Sequence, residues 1–350
     1  MDEEQLQRRK YYIDFLKITS ILLVIFNHTG NAGFLAFQEQ NNIILKIIEI
    51  LCSSFCLVAV PLFFMCSGVL LLPKEESING LYKKRVVKYL TVILVFTLGY
   101  YISLSLYGHA QMNFGWILNT IYSTTTFSFS GSYWFLYSYV AFLIMLPIFR
   151  IIAKHITREI MIYICTLYFI FGGMLPLLEY MFGFGSIALS IPFATNPAFF
   201  YPLVGFYIEE NDISFFRNKK IMFAVMIMTA ISFVSSTVIS LVSLHQDKFV
   251  NEYLTIFEGF IVIFIFILGR DVLKKVKLTS KIKKIIMQIS NCTFGIYLIH
   301  GFVFTFMIRT DTTYTGIGYV DAWLMVFFVF FIGLSVTYIL RKIPIIRCLF

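Results

Sequence analysis

The sequence predicts an all-α, polytopic membrane protein of about ten transmembrane helices, with its N- and C-termini cytoplasmic. Three observations carry that reading. Hydrophobic residues make up 59% of the 350 and charged residues only 13%, against about a quarter charged in a soluble domain, so lipid is the principal solvent. Apolar stretches of about 20 residues recur from end to end, each long enough to cross a hydrocarbon core as a helix. The basic residues are also strongly asymmetric. With the N-terminus inside, 24 of the 28 lysines and arginines fall on the cytoplasmic side, as the positive-inside rule demands. Lys46, Lys248 and Arg309 fall outside, and Lys17 lies within the first span. The net charge of +9 is thus a topology signal and calls for no nucleic acid.

In chain order, the first span, roughly 12–30, follows Arg8, Arg9 and Lys10 with no small-residue cleavage site behind it, so it reads as an uncleaved span and not a signal peptide. The second, roughly 43–72, is long, and a polar stretch at 73–89 leads into the third at 86–107. Spans follow at 132–150, 159–178, 197–209 (short), 221–244 and 253–269. A second polar stretch, the lysine-rich 270–284, reads as an anchor or an attraction to anionic lipid, and the last spans are 285–307 and 321–340. The apolar segment 177–200 is broken by Gly183, Gly185, Pro192 and Pro197, so it reads as an outer interfacial or re-entrant lid. Trp134 suits an outer aromatic belt. With no soluble domain, linker or repeat in view, residues 1–350 form a single integral-membrane domain. Five of the six cysteines lie within spans and show neither metal-type spacing nor a disulfide framework, so they read as packing residues and no metal site is expected.

The first span raises the functional question. Its apolar run "IDFLKITSILLVIFNH" carries Asp14, Lys17 and His28, although ionisable groups at membrane depth are costly and usually face a partner or a wet cavity. At 100° per residue the three share one face, and at 1.5 Å per residue Lys17 lies about 8 Å and His28 about 24 Å into the core. In the ninth span, "TFGIYLIH" places Thr293, Tyr297 and His300 on one face, with His300 at about 22 Å. Two histidines from distant parts of the chain therefore reach one level, and imidazole is the side chain best suited to exchanging a proton near neutral pH. At the cytoplasmic mouth, Ser67 and Gly68 in "PLFFMCSGVLLL" permit close approach of a backbone or a ligand. Lys84, Arg85 and Lys88 in "KKRVVK" set cations at a spacing that suits a polyphosphate, as it also suits interfacial anchoring.

These stretches are where the chain resembles a known family. "IDFLKITSILLVIFNH" contains a basic-x10-His pattern as Lys17 and His28. "VPLFFMCSGVLLL", the R-x-x-R-like Arg85 to Lys88, "YWFLYSYVAFLIMLPI" and "TFGIYLIH" follow in order. Together they resemble the acyltransferase 3 family of multi-pass O-acyltransferases, and most nearly its compact surface-polysaccharide O-acetyltransferases. Lys88 stands where the family pattern has a second Arg, and Lys17 where many members have Arg.

The resemblance implies ten spans in a bacterial cytoplasmic membrane and no permanently bound cofactor. It implies acyl-CoA, most simply acetyl-CoA, as co-substrate and a glycan or lipid-linked sugar as acceptor. Arg85, Lys88 and Lys84 would hold the CoA phosphates, and the pantetheine arm would pass Ser67 and Gly68. His28 would be the general base, and Asp14 would pair with Lys17 or join the donor channel. His300 and Tyr297 would orient the acceptor or donate to the oxyanion. Glu258, about five residues into the eighth span from outside, is a lesser acceptor-side candidate by its position alone. The rival reading is a glycolipid or polysaccharide transporter, since buried charge also suits proton-coupled translocation. Repeated halves and paired broken helices, which mark many transporter folds, are not evident in the sequence.

Overall fold

The computed structural model describes residues 9–106, 113–125, 133–182, 189, 191, 196–214, 216–217, 219–242, 256–308 and 318–350. The middle of the expected lid, with Gly183, Gly185 and Pro192, and the outer Lys248 and Arg309 lie outside these residues. The described chain is helical, with no strand.

Six helices are long and apolar enough to cross a membrane: Ile43–Leu71, Trp134–His155, Arg158–Glu179, Met222–Leu241, Ser280–Met307 and Tyr319–Leu340. They coincide with six of the expected spans and fit a multi-pass membrane protein. The other four expected spans are also helical, over Tyr11–Asn27, Val87–Leu106, Pro197–Glu210 and Ile256–Lys275.

The helices that position the site are α1 (Tyr11–Asn27), α2 (Ile43–Cys56), α3 (Ala59–Leu71), α4 (Ile78–Leu81) and α5 (Val87–Leu106). After α6 (Phe114–Thr125) come α7 (Trp134–His155), α8 (Arg158–Leu167), α9 (Leu175–Phe182) and α10 (Pro197–Glu210). The chain continues through α11 (Lys219–Val242), α12 (Ile256–Lys275), α13 (Ser280–Ile308), α14 (Gly318–Leu340) and the single turn α15 (Pro344–Arg347).

Local sequence explains several boundaries. The long second span divides into α2 and α3 just before Pro61, whose ring and missing N–H break the helical ladder. The Asn27 side-chain amide donates to the Cys56 carbonyl at this break, at 3.1 Å, and ties the end of α1 to it. The short α10 is started by Asn196, whose side chain accepts from the Ala198 N–H, with Pro197 in the first turn.

Helix α1 is the central element, packed against α3, α12, α13 and α14. The tightest crossing joins α3 to α10. A Cβ on Gly68 would collide with the Pro202 backbone, and one on Gly205 with the Met65 backbone. The two glycines therefore let the helix backbones touch, the way small residues work in membrane packing. Of the two occupants that Gly68 admits, a backbone or a ligand, the α10 backbone at Pro202 takes its Cβ side.

One end of the bundle is fastened by buried charge. Arg270, fully buried, donates to the Ile208 carbonyl at 2.9 Å, to the Ile213 carbonyl and to Asp271 at 2.7 and 2.8 Å. Glu209 pairs with Lys10 at 2.8 Å and with Lys274 at 3.2 Å. Thus α1, α10 and α12 are pinned at one level. The lysine-rich stretch that reads as a lipid anchor begins with a residue that is instead an internal staple, because α12 runs on to Lys275 and carries Arg270 inward.

Candidate active site

The α1 helix ends at Asn27, so His28 is its C-cap, with its backbone N–H on the Ile25 and Phe26 carbonyls. Thr29 locks the turn that follows. Its hydroxyl donates to the Phe26 carbonyl at 2.7 Å and accepts the Phe34 N–H at 2.9 Å, and Gly30 takes a φ of 55°. His28 is half-buried and therefore reachable. Its imidazole stacks on that of His300, with ring centroids 4.9 Å apart and planes at 25°. The shared depth read from the sequence is matched by lateral contact, because α1 and α13 pack side by side.

His300 is fully buried. Its Nδ1 meets the Tyr297 carbonyl, and a carbonyl only accepts, so this nitrogen carries the proton. Nε2 is then the lone-pair nitrogen, buried with no hydrogen-bond partner among the described residues. Tyr297 lies at 5.4 Å from the His300 ring, and its other neighbours are Phe135 and Tyr133.

Below the histidines opens a cavity of about 240 Å³. Its walls include Lys17, Cys66, Ser67, Tyr139, Asn291 and, at the histidine end, Tyr297. Thr293 also lines it, with its hydroxyl returned to the Ser290 carbonyl at 2.8 Å. Ser67 donates to its own helix at the Phe63 carbonyl, 2.8 Å away, and is hydrogen-bonded to the Tyr139 hydroxyl, which also meets Tyr89. Lys17, Ser67 and Tyr297 are thus brought to one chamber, and Tyr297 is the lining residue that stands beside His300.

The charged residues are distributed differently from expectation. Asp14 does not pair with Lys17. Arg9 grips both its oxygens at 2.6 and 2.8 Å, and Ser290 donates to it at 2.6 Å. Arg9 precedes the helix, so its side chain can fold back over the first turn, and a guanidinium fork fits a carboxylate better than an ammonium does. Lys17 is left facing the cavity, with no ion-pair partner among the described residues.

Arg85 and Lys88 do not converge either. The segment Tyr82–Val86 is a π-helical turn, whose wider winding breaks the three-residue register of a regular helix. Arg85 reaches Glu76 at 3.1 Å, and Arg150 reaches the same carboxylate at 3.3 Å. Lys88 donates to the Phe350 carbonyl at 2.9 Å. Lys84 is exposed and does not line the cavity. At the Glu76 carboxyl, burial pushes upward, but the two guanidinia outweigh it and hold the group below the usual carboxylate range.

The basic rim of the cavity is built from residues that motif reading missed. Arg9 donates to the Asn291 side chain at 3.1 Å, and Arg341 donates to the Asn291 carbonyl. Both are within electrostatic reach of Lys17, and Arg341 also of Lys88. Lys17 in the wall and Arg9 and Arg341 on Asn291 thus set three cations at this side of the cavity, with Lys88 beyond Arg341. The only signal in the sequence was the position of Asn291 just before "TFGIYLIH"; Arg341, fifty residues on, offered none. Both ends of the described chain meet at this rim, since Arg9 and Arg341 share Asn291.

Among the described residues, no group of His, Cys, Asp and Glu is arranged to hold a metal ion, and none of the six cysteines is in a disulfide. No curated protein and no solved structure matches the chain. A family model described as an acyltransferase domain matches residues 10–342, from just after Arg9 to just beyond Arg341. This is essentially the whole helical assembly around the cavity, and the chain belongs to the acyltransferase 3 family.

Proposed function

We propose that this membrane acyltransferase moves an acetyl group from cytosolic acetyl-CoA to a hydroxyl of an exported or cell-surface glycan or glycolipid. The proposal places it in a bacterial cytoplasmic membrane with ten spans and both termini inside. One observation carries it: a single cavity holds Lys17 and Ser67, has the Arg9 and Arg341 guanidinia on its wall residue Asn291, and includes Tyr297, whose ring lies 5.4 Å from that of His300. A long thioester with a polyanionic head and a slim arm has that shape and that charge.

The roles follow from the chemistry. Lys88, Arg341 and Arg9 at the rim, with Arg85 and Arg150 beyond, supply cations for the CoA phosphates. Lys17 and Ser67 line the path of the arm. His28 takes the proton of the acceptor hydroxyl as its oxygen bonds to the thioester carbon. The C–S bond then breaks, and His28 returns the proton to the departing thiolate. His300 has its N–H committed to a carbonyl, so in neutral form it cannot donate to the oxyanion. Its Nε2 suits accepting a hydroxyl proton. Tyr297, between cavity and histidines, is the better-placed donor to the developing charge.

The test is release of CoA thiol from acetyl-CoA by purified protein in liposomes with a membrane glycolipid extract, wild type against His28→Ala. Acceptor-dependent release that disappears in the variant supports the proposal. Equal release from both proteins removes His28 as the base. Solute flux without CoA would favour a transporter.

A further inference from the structure

Away from the cavity, Glu258 near the start of α12 is 2% exposed, and both its carboxylate oxygens lack a hydrogen-bond partner among the described residues. Buried carboxylates are ordinarily paired or saturated with donors, and one with neither is a cost that function must explain. Its electrostatic neighbours are Tyr168 and Tyr201. Both are fully buried, and the Tyr168 hydroxyl donates to that of Tyr201 at 3.2 Å. The surrounding walls are aromatic. Tyr168 stacks on Phe200 at 3.7 Å and Phe169 on Phe260 at 4.4 Å. Tyr168 also opens a π-helical turn, Tyr168–Met174, a feature that frequently marks functional positions.

The height of this cluster matters. A Cβ at Gly269 would touch Leu16, so α1 and α12 are level there. Away from the Lys10–Glu209–Arg270 end, His28 lies about 18 Å further along α1 and Glu258 about 16 Å along α12, at 1.5 Å per residue. The carboxylate therefore stands at the depth of the histidine pair.

We infer that Glu258, with the Tyr168–Tyr201 hydroxyl pair, is a carbohydrate subsite that binds two neighbouring hydroxyls of the acceptor sugar. A sugar hydroxyl both donates and accepts, so a vicinal diol can satisfy the two carboxyl oxygens and meet the Tyr168–Tyr201 hydroxyl pair. A cation is the poorer occupant, since no second carboxylate, His or Cys joins Glu258 in a metal-ligating group among the described residues. As the acceptor's site the inference rests on the acyl-transfer proposal; as a sugar site it stands by itself.

Thermal unfolding in phosphatidylcholine nanodiscs separates the two. The discs are made with and without a panel of hexosyl, N-acetylhexosaminyl and deoxyhexosyl diacylglycerols. The expected result is a rise in Tm with at least one glycolipid in wild type, lost in Glu258→Gln and reduced in Tyr168→Phe. Both variants should unfold cooperatively without sugar. No shift with any glycolipid, or an equal shift in Glu258→Gln, overturns the inference. In the thiol-release assay, Glu258→Gln should raise the acceptor KM roughly three- to tenfold, the loss of a neutral hydrogen bond, with the donor KM unchanged. A sugar-dependent Tm shift without thiol release from wild type would overturn acyl transfer alone.

Discussion

His28 and His300, 272 positions apart in the chain, stack with their ring centroids 4.9 Å apart. One is half-buried and the other fully buried. The pair is therefore asymmetric, with one ring open to a substrate and one closed behind it.

That asymmetry separates their substitutions. His28→Ala should lower kcat by roughly a hundred- to ten-thousandfold, the usual worth of a general base. His300→Gln keeps a polar side chain behind His28 and should cost less, mainly in the acceptor KM. Steady-state kinetics on both variants checks this; a larger kcat loss at His300 would reverse the assignment.

At the cationic rim, Arg341→Ala and Lys88→Ala should each raise the acetyl-CoA KM with little effect on kcat, and added salt should weaken the donor more in wild type than in the variants. Dephospho-CoA thioester should narrow the gap. Unchanged donor KM values at both positions would move the phosphates elsewhere.

Packing predicts the opposite behaviour for Gly68. Gly68→Ala and Gly205→Ala force α3 and α10 apart and should destabilise the fold by about 1–3 kcal/mol each. The readout is thermal unfolding in detergent. A normal Tm with a raised donor KM would place Gly68 on the donor path.

Asp14 is held by Arg9 and Ser290. Asp14→Asn removes the charge from that grip and should cost about 1–3 kcal/mol, the worth of hydrogen bonds to a charged group. In a double-mutant cycle with Arg9→Gln the losses should be less than additive, while a cycle with Lys17→Gln should be nearer additive.

Glu76 gives a pH dependence. Its folded carboxyl is held below its unfolded value, so its contribution is present above the unfolded pKa of about 4.3 and is lost as pH falls through the folded value. Glu76→Gln should therefore lower Tm at neutral pH and match wild type in strong acid. An equal Tm difference at both extremes would show that the charge has no part in the tie.

Much of this molecule was legible in the chain because membrane insertion is read locally. Length and apolarity marked the spanning helices, and periodicity placed Lys17, His28, Tyr297 and His300 on faces and at depths that the structure retains. The second span reads in the sequence as one long helix, and Pro61 accounts for its division into α2 and α3.

Lateral neighbours were another matter. Depth along a helix follows from counting residues, but which helix stands beside it does not. Asp14 took Arg9 from outside its own helix, Gly68 took the Pro202 backbone, and a π-helical turn drew Arg85 away from Lys88. Arg341 reached the rim only because α13 and α14 pack together and bring it to Asn291. The sequence by itself determined an all-helical membrane acyltransferase with buried histidines at one depth. Only the tertiary structure decided that the histidines touch, which cations surround the cavity and that Glu258 is left without a partner. The physical reason is that burial energy depends on local composition, whereas the pairing of polar groups depends on contacts between segments hundreds of residues apart.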